Sequence, residues 1–289
     1  MYPNLSDFAR KARSGEALTV VFFGGSLTWG ANATDPNRTS LRGRLMQFLR
    51  KSFPLARWTF VDSAIGGAGS TMAVYRVSRD VLAHAPDLVF MDFSVNDGLS
   101  SDADLAAAAY EGILRHILAG APGCALVPLI LPTQDAVLLP DTSSLRRVTL
   151  HHALAGHYSL PCIDILQGLR DRHRAGTVDL ESVWPPELFD TCHPHDAGYA
   201  VYAEIVQAAL ESLLADRPAS AAADLPSEWF GPHTYASVLR RRIAEAPCLP
   251  SGWRTGFASL RAGTFDFLSS RWMDGLVMAE NFHRTGWNE

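Results

Sequence analysis

Five short apolar runs, spaced along the first 165 residues and separated by stretches of helical period, limit what this chain can become. They are Leu18 to Phe23, Trp58 to Asp62, Asp87 to Asp92, Ala125 to Leu131 and Pro161 to Ile165. Most are apolar almost throughout rather than at alternate positions, so burial on one face does not satisfy them; strands covered on both sides do. Between and after them, Leu41 to Phe53, Thr71 to His84, Asp104 to Ala119, Ser143 to Tyr158 and Asp196 to Ala215 place apolar residues at helical spacing. Strands alternating with helices imply an α/β fold: a five-stranded parallel sheet between two layers of helices. The strand order is not set by this pattern.

The chain has 289 residues, 47% of them hydrophobic, enough for one large core. That core is expected over residues 1–216. Residues 217–226, rich in Pro, Ala and Ser, read as a linker. Residues 227–289 form a C-terminal extension with four of the seven tryptophans, Trp229, Trp253, Trp272 and Trp287. Its glycine-punctuated aromatic stretch from Gly252 to Phe282 has strand character. It suits a partial β-domain, a lid, or a surface for a second copy of the chain.

A net charge of −5 without basic runs gives nucleic acid no electrostatic footing. No apolar stretch reaches the length of a membrane span. The N-terminal segment lacks the basic-then-apolar layout of a leader, so a cytoplasmic location is expected, or a secreted or periplasmic one if a leader preceded it. Cys124, Cys162, Cys192 and Cys248 match neither a zinc site nor a disulfide framework. His151, His152 and His157 share a helix but have no acidic partner placed to complete a metal site.

The first apolar run ends in Gly24-Gly25-Ser26, a sharp turn that delivers a serine at the C-terminal end of a strand, where open α/β sheets place their ligands. A serine hydroxyl needs a base before it attacks anything. Three other loops offer partners. Asp190 and His193 are three residues apart, so the carboxylate can reach Nδ1 of the imidazole and leave Nε2 for the serine proton. Gly67, without a Cβ, lets its N–H approach an oxyanion closely, and Asn96 can offer its amide to the same oxygen, with the Ser26 N–H as third donor.

These blocks, Gly24-Gly25-Ser26-Leu27, Gly67, Val95-Asn96-Asp97 and Asp190-x-x-His193-Pro194, resemble those of the SGNH, or GDSL-type, hydrolase superfamily, in the family's order across residues 17–215. The opening is similar to that of bacterial carbohydrate acetylesterase-like members. The resemblance implies a flavodoxin-like three-layer fold and hydrolysis of an ester through an acyl-serine, with Ser26, His193 and Asp190 as triad and Ser26, Gly67 and Asn96 as oxyanion donors. It implies no metal and no organic cofactor. The implied substrate is a small-molecule or glycan ester with a small acyl group, such as acetyl. Gly25 stands where the family carries aspartate, which leaves the hydrogen bonding of that turn open.

Each residue also has a plainer reading. Ser26 could cap a helix starting at Leu27, Asn96 could stabilise a turn, and Asp190 could cap the last helix. Trp29 and Trp184 could stack on a sugar or fill the core, and His195 could line the pocket mouth or lie at the surface. Two other functions use the same residues or scaffold: acyl transfer to a sugar hydroxyl, and glycan binding without catalysis.

Overall fold

The computed structural model describes residues 3–100, 102–215 and 225–238, together with the backbone of 253–255 and 277–279. The chain divides into two units, residues 1–237 and 238–289.

The first unit is built on five parallel strands, β1 (Ala17–Gly24), β2 (Arg57–Asp62), β3 (Leu88–Asp92), β4 (Ala125–Ile130) and β5 (Ile163–Asp164), in the order β2-β1-β3-β4-β5. β1, β3 and β4 are buried nearly end to end, as their apolar character requires. Successive residues of β1 face opposite layers. Leu18, Val20 and Phe22 join one core cluster with the Pro3–Arg13, Leu41–Ser52 and Asp196–Leu213 helices. Phe23 meets Phe93 edge-on at 5.1 Å, and the Arg76 guanidinium lies 5.1 Å over the Phe23 ring.

The order reverses between β1 and β3. One connection from β1 leads outward to β2, and the next returns across β1 to β3. A crevice opens at the carboxyl ends of strands that diverge in this way, and this switch point is where α/β sheets hold ligands. The register pairs Gly24 with Asp92, so the loops after β1 and β3 leave the sheet side by side.

The sequence pattern and the structure differ in three places. The stretch 71–84 is not one helix. It is broken into Ser70–Ala73, Val74–Arg76, Val77–Asp80 and Leu82–His84, ending at Ala85 with φ +46°. The Ser63 hydroxyl donates to the Asp80 carbonyl at 2.6 Å, drawing that carbonyl out of the helical ladder. β-branched Val74, Val77 and Val81 add little helical preference to resist it. β5 is only two residues long, because the Asp164 side chain accepts from the Gln167 N–H at 2.7 Å and starts the Ile165–Arg174 helix at once. That helix, and the N-terminal Pro3–Arg13, were not expected.

In the second unit, Trp253–Thr255 and Val277–Ala279 pair antiparallel. The 217–226 linker falls mostly outside the described residues, as does most of the extension from Gly252 to Phe282.

Candidate active site

The turn after β1 is shaped by crowding. A Cβ on Gly24 would strike the Thr28 hydroxyl and lie 2.7 Å from the Asp92 carbonyl, so β1 can end against β3 only with glycine there. Ser26 then begins a single helical turn, Ser26–Trp29, closed by Gly30 at φ +100°, whose N–H donates to the Ser26 carbonyl. Ser26 is half-buried.

The acid–base loop precedes the Asp196–Leu213 helix. Its aspartate organises the backbone first: Asp190 Oδ1 accepts from the Cys192 and His193 N–H groups, both at 2.9 Å. This local Asx-type turn puts the His193 ring over the same carboxylate. Nδ1 of His193 lies 2.8 Å from Asp190 Oδ2, and Nε2 lies 2.7 Å from Ser26 Oγ. With the proton on Nδ1, Nε2 presents its lone pair to the serine hydroxyl. Burial pushes the Asp190 carboxyl upward, but bonds from His193 and Cys192 outweigh it and hold the group below the usual carboxylate range. Burial raises the Cys192 thiol to about 11, with the Asp190 and Asp92 charges adding to it, so the sulfur stays protonated and packs.

A third partner was not foreseen. Asn32 Nδ2 donates to Asp190 Oδ2 at 3.1 Å and to the His193 carbonyl at 3.2 Å. Its backbone sits in the left-handed region, φ +66°, which asparagine tolerates better than most residues. Two more bonds tie the same segments: the Thr34 N–H donates to Asp196 Oδ1 at 2.9 Å and the Tyr199 hydroxyl to the Ala31 carbonyl at 2.8 Å. In sequence, Asn32 is only a turn residue in a Gly-Ala-Asn-Ala-Thr run, and nothing there points to an aspartate 158 positions on.

The loops after β2 and β3 complete the surroundings. Gly67 is exposed at φ +74°, with open space where a Cβ would be. Neither its N–H nor that of Ser26 has a hydrogen-bond partner among the described residues. Asn96 spends one amide hydrogen on the Ala68 carbonyl at 2.7 Å and keeps the other. The same amide nitrogen lies 2.5 Å from where a Gly25 Cβ would stand. Position 25 is thus glycine because the Asn96 side chain occupies the space. Below this, Asp97 accepts from the Ser70 N–H at 2.7 Å and the Ser70 hydroxyl at 2.6 Å, and pairs with His151 Nε2 at 3.1 Å. That locks the two loops to each other. Asp92, fully buried at the end of β3, has its pKa raised to about 7 by burial, against the lowering effect of Ser94's bonds.

The structure therefore brings Ser26, His193, Asp190 and Asn96 into one constellation, with Gly67 on the adjoining loop. Trp184 is not part of it. Its side chain is 2% exposed and packs against Tyr202, so it has no face to offer a sugar, and the substrate contact expected of it is corrected on that ground. His195 caps the last helix: its N–H donates to the Val183 carbonyl and its own carbonyl accepts from Tyr199. Trp29 is half-buried beside the nucleophile turn. The three helix histidines go to three different partners, Asp97, Asp164 and the Glu228 carbonyl.

Residues 22–201 match the sequence profile of the GDSL-like Lipase/Acylhydrolase family. No curated protein matches the chain. Among solved structures, a two-domain esterase active on acetylated mannans superposes with a TM-score of 0.78 at 24% identity, covering 92% of this chain and 67% of its own. The chain thus spans about two thirds of that protein's length. An acetyl xylan esterase superposes with a TM-score of 0.54 at 18% identity, covering 66% of this chain and 99% of its own. An acetylxylan esterase from Geobacillus stearothermophilus gives 0.53 at 17%, covering 67% and 94%. Among the described residues no helix is long and apolar enough to cross a membrane. With more than half its length inside the profile, the chain belongs to the GDSL-like lipase/acylhydrolase family and is a carboxylic ester hydrolase.

Proposed function

We propose that the chain removes small acyl groups, acetyl foremost, from a carbohydrate ester through an acyl-serine intermediate. The observation that carries this reading is the continuous relay from Ser26 Oγ through His193 to Asp190, with bonds of 2.7 and 2.8 Å. Ser26 Oγ attacks the ester carbonyl carbon while His193 Nε2 takes its proton. The carbonyl oxygen becomes an oxyanion, met by the Ser26 and Gly67 N–H groups and the unspent amide hydrogen of Asn96. The C–O bond to the alcohol breaks as Nε2 returns the proton to the leaving oxygen. Water, deprotonated by the same nitrogen, then attacks the acyl carbon and releases Ser26 and the carboxylic acid. Asp190 keeps the proton on Nδ1 and stabilises the imidazolium formed in each half.

The small-acyl, carbohydrate assignment is supported by two kinds of similar structure, one active on acetylated mannans and the others acetylxylan esterases. The test is turnover of 4-nitrophenyl acetate, butyrate and octanoate, with fluorophosphonate labelling. Acetate should give the highest kcat/KM, and the label should sit on Ser26. Ser26→Ala should lose on the order of 10⁶-fold in kcat while retaining its circular dichroism. A folded Ser26→Ala variant with activity near wild type would refute the nucleophile; octanoate preferred over acetate would refute the small-acyl assignment.

A further inference from the structure

Arg147, the second residue of the Arg146–His157 helix, is half-buried, and its side chain has no hydrogen bond or ion pair among the described residues. Its neighbour Arg146 is paired with Asp104. Arg147 Nε is sealed from solvent without a partner, and burial draws the guanidinium pKa below its ordinary value. A half-buried cation without a counter-charge is partly desolvated, and an anion beside it would offset that cost.

Its position ties it to the loop that carries Asn96. The arm lies across the bare α-carbon of Gly98, where a Cβ would strike Cδ and come within 2.6 Å of Nη1 and 2.9 Å of Nε. Gly98 is two residues beyond Asn96. Arg147 also lines a cavity of about 240 Å³ with Asp97, Gly98, Leu145 and His151. The positive end of its own twelve-residue helix opens on this cavity, and the N-cap, Leu145, supplies no side-chain bond to the helix N–H groups.

We propose that Arg147 and the N-terminus of its helix bind a carboxylate carried by the ester substrate, making the enzyme selective for acidic over neutral esters. This rests on the esterase reading above. Guanidinium and carboxylate match in geometry and in single charge. A phosphate monoester carries about −1.5 to −2, and Asp97 stands against a dianion in the same cavity. The Asp97 carboxylate is itself held by Ser70 and His151 and does not neutralise Arg147 by contact.

The experiment compares kcat/KM within two pairs, so that the carboxylate is placed on either side of the ester. One pair is an acetylated methyl glucuronoside and the matching methyl glucoside; the other is 4-nitrophenyl hemisuccinate and 4-nitrophenyl butyrate. In at least one pair the acidic member should be preferred by about 10–100-fold, the range expected for hydrogen bonding to a charged group. Arg147→Gln should bring that ratio to near one, Arg147→Lys should restore part of it, and Gly98→Ala, which pushes the arm aside, should lower it. Equal turnover in both pairs, or a preference that survives Arg147→Gln, overturns the proposal. Binding is read separately as protection of the Tm by methyl glucuronoside and monomethyl succinate, against methyl glucoside and glucose 6-phosphate. Carboxylate protection lost in Arg147→Gln without turnover of any ester would sink the esterase reading and leave this site standing. Protection by neither carboxylate, or stronger protection by the phosphate, would overturn the site.

Discussion

Adding one methyl group beside the nucleophile tests whether Asn96 holds a donor where the chemistry needs it. In Gly25→Ala the new Cβ would stand 2.5 Å from Asn96 Nδ2, whereas ordinary contact begins near 3.4 Å, so something must give by 3.4 − 2.5 = 0.9 Å. Position 25 has φ −95° and ψ −155°, an extended conformation that alanine adopts freely, so the conflict is one of space rather than backbone strain. The amide is the softer party, and moving it bends or breaks the 2.7 Å bond to the Ala68 carbonyl. A displacement of about 1 Å in a positioned group can cost about 10²-fold in rate, and removing one oxyanion donor costs about 10²–10³-fold. We expect kcat on 4-nitrophenyl acetate to fall by about 10²-fold or more, with an overpacking cost of about 1–3 kcal/mol in urea unfolding. The cause is isolated by a double-mutant cycle. Asn96→Ala alone should lose about as much kcat, and adding Gly25→Ala to it should change little, because the group the methyl displaces is already gone. If Gly25→Ala keeps kcat within about threefold of wild type, or if the two losses multiply, Asn96 is not the element through which position 25 acts.

Two further predictions concern the supports of the site. Asn32→Gly keeps the left-handed backbone conformation but deletes both amide bonds to the acid–base loop, and should lower kcat by about tenfold, in proportion to one charge-assisted hydrogen bond; kcat equal to wild type would show that Asp190 and His193 hold their geometry unaided. Asp92 has its pKa raised from an ordinary carboxylate value near 3.9 to about 7, so the native state binds a proton that the unfolded state has released between those limits. Stability should therefore fall as pH rises from about 4 to about 7, and Asp92→Asn should flatten that slope in urea midpoints measured across the window; an unchanged slope would locate the titration elsewhere.

Ser26, Gly67 and Asn96 could be read in the sequence as blocks of a family pattern, and the Asp190–His193 pair as one held by neighbours in the chain. Asp190 and His193 are three residues apart, and their geometry is set by bonds within that step. The strands were legible because burial on both faces leaves a composition that nothing else requires. What stayed hidden depends on distant approach. The 71–84 segment has helical spacing, yet Ser63, in the loop after β2, donates to the Asp80 carbonyl. Trp184 looked equally suited to a sugar and to the core, and only the packing of Tyr202 against it decides for the core. Gly25 could be seen to depart from the family pattern, but the reason lies in a side chain 71 positions later.

The same logic explains how a nucleophile and a base 167 residues apart keep a 2.7 Å relation. The sheet alone does not fix it, because Ser26 rides on β1 and His193 on a loop ahead of the last helix. The segment after the nucleophile supplies the missing constraint. Asn32 reaches Asp190 and the His193 carbonyl, Thr34 reaches Asp196, and Ala31 receives Tyr199. These bonds, made at Ala31, Asn32 and Thr34, join one turn to the acid–base loop and the start of the helix that follows it, so a displacement of the nucleophile turn carries the acid–base loop with it. Preorganisation of this kind is worth most where charge appears suddenly, since dipoles already in place need no rearrangement as the oxyanion and imidazolium form. The arrangement also accounts for asparagine at position 32: it combines tolerance of a left-handed backbone with an amide hydrogen long enough in reach to meet the carboxylate.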